Sequence, residues 1–167
     1  TERYEGYGNS IRRVMEQKKR EPGIRGVVAD IIQVKKDYEL AIETALGGSI
    51  QNIVTDNEQT AKRMIDFLKK NRYGRATFLP LSNISGRGGF QREEVFREPG
   101  VIGAADTLVQ ADREYDSLVK YLLGRVLVVD HIDHAIAIGK KYRHSLRMVT
   151  LEGDSLSPGG SMTGGAF

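Results

Sequence analysis

The chain has 167 residues, 40% of them hydrophobic, and its 25 Lys and Arg against 22 Asp and Glu give a formal net charge of +3. That length and apolar content suit one domain or two small lobes sharing a core, and exclude a disordered tail. The absence of cysteine excludes disulfides and thiolate metal sites, and no run approaches the roughly 18 apolar residues that a membrane-spanning helix needs.

Residues 1–20 read as an entry segment. Tyr4, Tyr7, Ile11, Val14 and Lys18 fall at the alternating three-four spacing of a coiled-coil seam, though Gly6 and Gly8 interrupt a continuous helix. Ser10 is placed to cap a short helix reaching about Lys19, which Pro22-Gly23 ends. A strand is expected near Ile24–Val28, a helix near Lys36–Leu46 stopped by Gly47-Gly48, and a strand near Gln51–Thr55. Asp56 is the expected cap of the next helix, with Ala61, Met64, Ile65 and Leu68 as its buried stripe, and a strand at Ala76–Leu79 follows. The glycine-rich polar stretch 82–97 reads as a linker. Beyond it come strand or loop material near Val101–Val109, a helix at Glu114–Leu123 and a buried strand at Val126–Val129. Asp130 then caps a helix to about Arg143, with Ile132, Ala135, Ile136, Gly139 and Tyr142 along one face, and a final strand lies near Leu146–Leu151.

The chain repeats itself. Arg20-Glu21-Pro22-Gly23 recurs as Arg97-Glu98-Pro99-Gly100, and the offset of 77 carries on through Gly26 and Gly103, Gln33 and Gln110, Tyr38 and Tyr115, and Gly47 and Gly124. At the helix caps the offset becomes 74, pairing Asp56 with Asp130, because the second copy is three residues shorter at a loop. The expected architecture is therefore α+β (mixed α/β), with two pseudo-symmetric subdomains at 21–81 and 98–167 whose small mixed sheets carry flanking helices. Such halves present matching edges, which favours a dimer.

Three stretches invite a chemical reading. The tail from Gly153 to Gly165 is the densest in glycine, but Gly160 stands where a phosphate-binding loop of the Walker type needs its lysine, and Pro158 breaks a Leu-Ser-Gly-Gly run. A nucleotide- or phosphate-binding module there is the alternative reading; paired glycines around Ser161-Met162-Thr163 point instead to close backbone approach at a subunit contact. His131-Ile132-Asp133-His134 offers two imidazoles and a carboxylate, read here as surface residues with Asp130 and Asp133 favouring the helix N-terminus, so no metal and no cofactor is expected. Basic residues cluster at Arg12–Arg20, at Lys69, Lys70, Arg72 and Arg75, and at Lys140, Lys141, Arg143, His144 and Arg147, as solvated helix faces or as contacts to nucleic acid. Nothing assembles into a catalytic constellation, so an enzyme is not expected.

Gly47-Gly48-Ser49-Ile50-Gln51-Asn52-Ile53-Val54, the run Phe67–Leu81 containing Lys69-Lys70-Asn71-Arg72-Tyr73-Gly74-Arg75, and the tail Gly153–Gly165 resemble the hinge domain of bacterial SMC (structural maintenance of chromosomes) proteins. The resemblance implies a non-enzymatic homodimerisation domain at the end of a long antiparallel coiled coil. It implies a ring-shaped dimer, ATP-binding heads outside this chain, a role in chromosome condensation and segregation, and a cytoplasmic, nucleoid-associated setting without a membrane partner. It also places the dimer contact at Gly159, Gly160, Ser161, Met162, Thr163, Gly164 and Gly165. Contact with DNA, sequence-nonspecific, is expected at Lys69, Lys70, Arg72, Arg75, Lys140, Lys141, Arg143 and Arg147.

Overall fold

The structure, a computed structural model, describes residues 7–86 and 88–165; Tyr4 of the expected seam and Arg87 of the linker lie outside the described residues. In chain order the elements are α1 (Asn9–Met15), β1 (Ile24–Val27), α2 (Val28–Ile31), β2 (Gln33–Val34), α3 (Glu39–Leu46), β3 (Ile53–Thr55), α4 (Glu58–Asn71), β4 (Phe78–Pro80), β5 (Val101–Ala104), β6 (Val109–Gln110), α5 (Asp116–Leu123), β7 (Val126–Val129), α6 (Ile132–Lys141), β8 (Arg147–Thr150), β9 (Ser155–Leu156) and β10 (Met162–Thr163). The fold is mixed α/β, as expected. It divides into two compact units, one holding the residues up to Ile31 with Gly48–Ser85, the other holding Ile32–Gly47 with the chain from Gly86 onward.

In the first unit β3 lies between β1, antiparallel to it, and β4, parallel to it. Ile24, Val27 and Ile53 from the sheet meet Met64 and Leu68 of α4 and Ile11, Val14 and Met15 of α1 in one apolar cluster. Each such side chain contributes roughly 1.5–3 kcal/mol by leaving water. Helix α1 is capped by Gly8 without a side-chain bond; Ser10 instead donates its hydroxyl to the Arg75 carbonyl at 2.6 Å, and Asn9 donates to the Tyr73 carbonyl at 3.2 Å. The buried stripe of α4 is Thr60, Ala61, Met64 and Leu68; Ile65 is a correction, for it lies one residue round the helix from Met64 and is 39% exposed.

The second unit repeats that three-strand arrangement and extends it. Its sheet runs β10-β9-β8-β7-β5, with β5 antiparallel and β8 parallel to β7, as β1 and β4 are to β3. Even the irregularity recurs, between Ile24 and Gly26 in one copy and between Val101 and Gly103 in the other. Strand β7 is buried along its whole length, the mark of a sheet covered on both faces. Helix α6 buries Ala135, Ile138, Gly139 and Tyr142, while Ile132 and Ile136 are only part-buried, so its inner face is rotated from the expected stripe toward Ile138.

Two segments differ in role from the expectation. The stretch 82–97 ends in a 3-10 turn, Glu93–Arg97, whose Val95 is 1% exposed in the second unit's core beside Leu127 and Met148, with Phe90 packed against that cluster. Segment 32–47, part of the first copy by sequence, packs in the second unit, where α3 contacts β8 and α5. There β2 pairs with β6, setting Gln33 opposite Gln110, the two equivalent glutamines of the repeat.

Both long caps fall one residue later than expected. Asp56 and Asp130 each use a carboxylate oxygen to accept the N–H of the following residue, at 2.7 Å in both copies, so the cap positions become Asn57 and His131. Asn57 caps α4 by accepting the Thr60 N–H at 3.0 Å; His131 makes no side-chain bond of that kind. Gly23 and Gly100 accept the N–H of Asp56 and Asp130, both at 2.8 Å. A Cβ at Gly23 would overlap the Asp56 carboxylate and Thr60 hydroxyl, and one at Gly100 the Asp130 carboxylate and His134 ring. The repeated glycine of Arg-Glu-Pro-Gly is thus required by the close approach of this loop to a capping carboxylate.

Candidate functional site

The glycine tail is a hairpin laid on the edge of the five-stranded sheet. Tight turn chemistry begins it: Thr150 and Asp154 exchange two bonds, the Thr150 hydroxyl donating to the Asp154 carboxylate at 2.8 Å and the Asp154 N–H returning to that hydroxyl at 3.1 Å. Strand β9 then runs antiparallel to β8, placing Leu156 in the core. At Ser157-Pro158-Gly159-Gly160 the chain reverses. Pro158 supplies the fixed φ, Gly159 takes φ +95°, and the Gly160 N–H donates to the Ser157 carbonyl at 3.0 Å, the geometry of a type II turn. The Gly159 N–H donates to the His144 carbonyl at 2.7 Å. These two amides, which a phosphate cradle would need, are therefore already used.

Among the described residues strand β10 pairs with β9 on one side only and forms an edge of the sheet. Ser157 donates to the Ser161 carbonyl at 2.9 Å, so the alternation of an antiparallel ladder turns the N–H and C=O of the next residue, Met162, away from β9. All of Gly159, Gly160, Ser161, Met162, Thr163, Gly164 and Gly165 are exposed, Met162 at 50%. Of the seven tail residues named from the sequence, Ser161–Gly165 run along this edge, which is unpaired among the described residues, and Gly159 and Gly160 form the turn that leads into it, so Met162 stands at the centre with glycines on both flanks.

The basic residues are not equivalent. Lys69 and Lys70 sit in the last turn of α4, and Arg72, its C-cap, adopts the left-handed region at φ 55° while donating its N–H to Leu68 and Lys69. With Arg75 they are exposed, and among the described residues no carboxylate lies within ion-pair distance of the four. Their charge also favours the negative end of the helix. In the second unit Lys140 and Arg143 are exposed, Arg143 again at positive φ, 57°. Lys141 is held by Glu98 at 2.8 Å, which raises the lysine's pKa; the lysine's hydrogen bond holds the Glu98 carboxyl below the usual range, and Glu98 also accepts from the Tyr142 hydroxyl at 3.0 Å. Burial, and then the Glu98 bond, push the Tyr142 phenol up. Arg147 is part-buried and donates to the Ala45 carbonyl at 3.0 Å.

A cleft of about 520 Å³ in the second unit was not legible from the sequence. Arg92, Arg125 and Arg147 line it with Phe90, Tyr121 and Tyr142. Arg92 lies over the Tyr142 ring at 4.8 Å and pairs with Glu94 at 2.8 Å. The three arginines come from segments far apart in the chain, so no local pattern announces them.

The family model of the flexible hinge domain of SMC proteins matches residues 21–139. The chain is 46% identical over 165 residues to the chromosome partition protein Smc of Bacillus subtilis, covering 98% of this chain and 14% of that protein. It is 42% identical over 146 residues to the Smc protein of Methanocaldococcus jannaschii, covering 87% of this chain and 12% of that one. The chain thus spans about one seventh of the length of the curated relatives it matches. Among solved structures it is similar to the hinge domain of the Geobacillus stearothermophilus SMC protein, with a TM-score of 0.93 and 44% identity over 98% of this chain and 68% of that one. The Pyrococcus furiosus SMC hinge follows with 0.78 and 32%, over 98% and 83%.

Proposed function

The chain belongs to the SMC flexible hinge family, and from that premise we propose that it joins two copies of a chromosome-partition SMC protein as their homodimerisation hinge. The ATPase heads lie in other parts of that parent protein. The supporting observation is the open edge of β10. An edge strand with free backbone groups is a template for pairing with another chain, and soluble proteins cover or charge such edges. This one is neutral, centred on exposed Met162, and flanked by glycines that let a second backbone approach. A strand from a second copy satisfies it by β-addition. The Geobacillus stearothermophilus hinge is itself described as an asymmetric dimer. Because the second half carries this tail and the first does not, the contact pairs the first subdomain of one copy with the second of its partner, closing a ring through two such contacts.

Met162→Pro tests the reading, because it removes the outward N–H while leaving the hydrogen bond between Ser157 and Ser161 in place. Sedimentation of the variant should give a folded particle near the chain mass of 18.6 kDa, against twice that mass for the unaltered protein. A variant that stays dimeric would remove the β10 edge from the contact.

Contact with DNA is the second part of the reading, supported by the four exposed, unpaired cations at the end of α4 with Lys140 and Arg143. Such groups bind phosphates by releasing counterions, without reading sequence.

A further inference from the structure

We propose that Asp130, His131 and His134 form a binding site for one divalent transition-metal ion of the zinc class. Their ligand atoms all lie within 4.8 Å of one another. His134 Nδ1 is 2.7 Å from one carboxylate oxygen of Asp130, and His131 Nε2 is 3.9 Å from the other. The two rings stack at 4.3 Å and 25°. An ion held tetrahedrally about 2.0–2.2 Å from each donor leaves neighbouring donors roughly 3.3–3.5 Å apart, so the His134 nitrogen moves out from its 2.7 Å bond to Asp130 while the donors spread over as much as 4.8 Å draw in. All three side chains are partly exposed, at 37–46%, so small rotations close that difference and water reaches the remaining coordination positions. Two imidazoles and one carboxylate suit zinc and its neighbours rather than calcium or magnesium, which prefer oxygen alone.

The carboxylate that joins the histidines is Asp130, which the sequence assigns to the helix start; Asp133, nearer in the run, is not in the cluster. In the first copy the same glycine-backed aspartate, Asp56, accepts the Asn57 N–H, and a hydrogen bond from Thr60 is the main reason its carboxyl lies below the ordinary range. Asn57 and Thr60 stand at the positions of His131 and His134, and they complete the helix start without an imidazole. The second copy places a nitrogen donor at both positions and gives up the side-chain cap that Asn57 provides. The His134 ring bonds the Asp130 carboxylate at 2.7 Å as Thr60 bonds Asp56, so the helix start accounts for His134; it does not account for an imidazole at 131, which makes no capping bond, whereas a shared ion does.

The test uses the 167-residue chain without an affinity tag, stripped with a chelator and titrated with zinc chloride against a chromophoric zinc indicator. The control is the double variant His131→Asn/His134→Thr, which installs the first copy's residues. The unaltered chain should take up one equivalent at micromolar zinc with a rise in thermal midpoint, as binding to the native state requires. The double variant should keep its unliganded midpoint and take up none. Should the double variant fail to fold, His131→Asn alone should weaken uptake at least about tenfold, since loss of a ligand costs more than loss of an outer-shell partner. No uptake by the unaltered chain, or equal uptake by chain and variants, would overturn the assignment.

Discussion

Replacing Lys70 and Lys141 by Gln in separate variants distinguishes a free cation from one already neutralised within the fold. Each phosphate neutralised on duplex DNA contributes about 0.9 to the slope of log affinity against log salt. Lys69, Lys70, Arg72 and Arg75 are exposed without a carboxylate partner among the described residues. Full engagement of those four gives a slope near −3.6, so raising salt fourfold weakens binding about 150-fold. Lys70→Gln should reduce that slope by about 0.9. Lys141 is paired with Glu98 at 2.8 Å, and it must leave that carboxylate before it serves a phosphate. Lys141→Gln should therefore change the slope much less, while lowering the thermal midpoint by leaving Glu98, 14% exposed at its side chain, without its ammonium. Fluorescence anisotropy of a labelled duplex across a salt series reads both slopes. Equal slope changes in the two variants would refute the reasoning, and binding indifferent to salt would remove DNA from the proposal.

Arg72→Gly should stabilise the fold by about 1 kcal/mol in denaturant titration, because a non-glycine residue at the left-handed cap carries a cost of roughly that size; the same variant should bind DNA more weakly, so the two readouts move in opposite senses. Glu98→Gln should flatten the acid side of the stability profile. The folded pKa of Glu98 is depressed, chiefly by Lys141, so its contribution is present above the unfolded value near 4.3 and disappears as pH falls through the folded value. The raised pKa of Lys141 acts in the other direction, its contribution being complete below the unfolded lysine value and lost as pH rises through the folded one. Urea unfolding between about pH 2 and pH 6, the window in which carboxylates titrate, should show a shallower slope for the variant than for the unaltered chain; identical slopes would contradict the Glu98 assignment.

Strand and helix order was legible because periodicity and punctuation are local. The run Val126–Val129 reads as a buried strand and is one, and Gly47 ends α3 where the sequence places the stop. The repeat, too, carries real information, since three strands of the second sheet share the order, the strand sense and an irregularity before the equivalent glycine of the first. What it does not carry is which copy a segment packs with. Equivalence of residues 36–46 and 113–123 says nothing about α3 lying against β8, a contact between residues about a hundred positions apart. The shift of both caps from aspartate to the next residue has a local cause, the carboxylate taking its neighbour's N–H, and the same shift in both copies shows it belongs to the motif. Val95 was hidden among Arg92, Glu93, Glu94 and Arg97, where one apolar residue gives no period. For the tail, glycine density pointed to close approach, but only the pairing register reveals that Met162 turns its backbone outward.

Covering of the β10 edge by a second copy is tested most directly by amide hydrogen exchange over 161–165, followed across a dilution series together with particle mass. Slow exchange in the dimer that becomes fast as the mass falls to that of one chain is the predicted result, whereas fast exchange over 161–165 in a particle of dimer mass would contradict it.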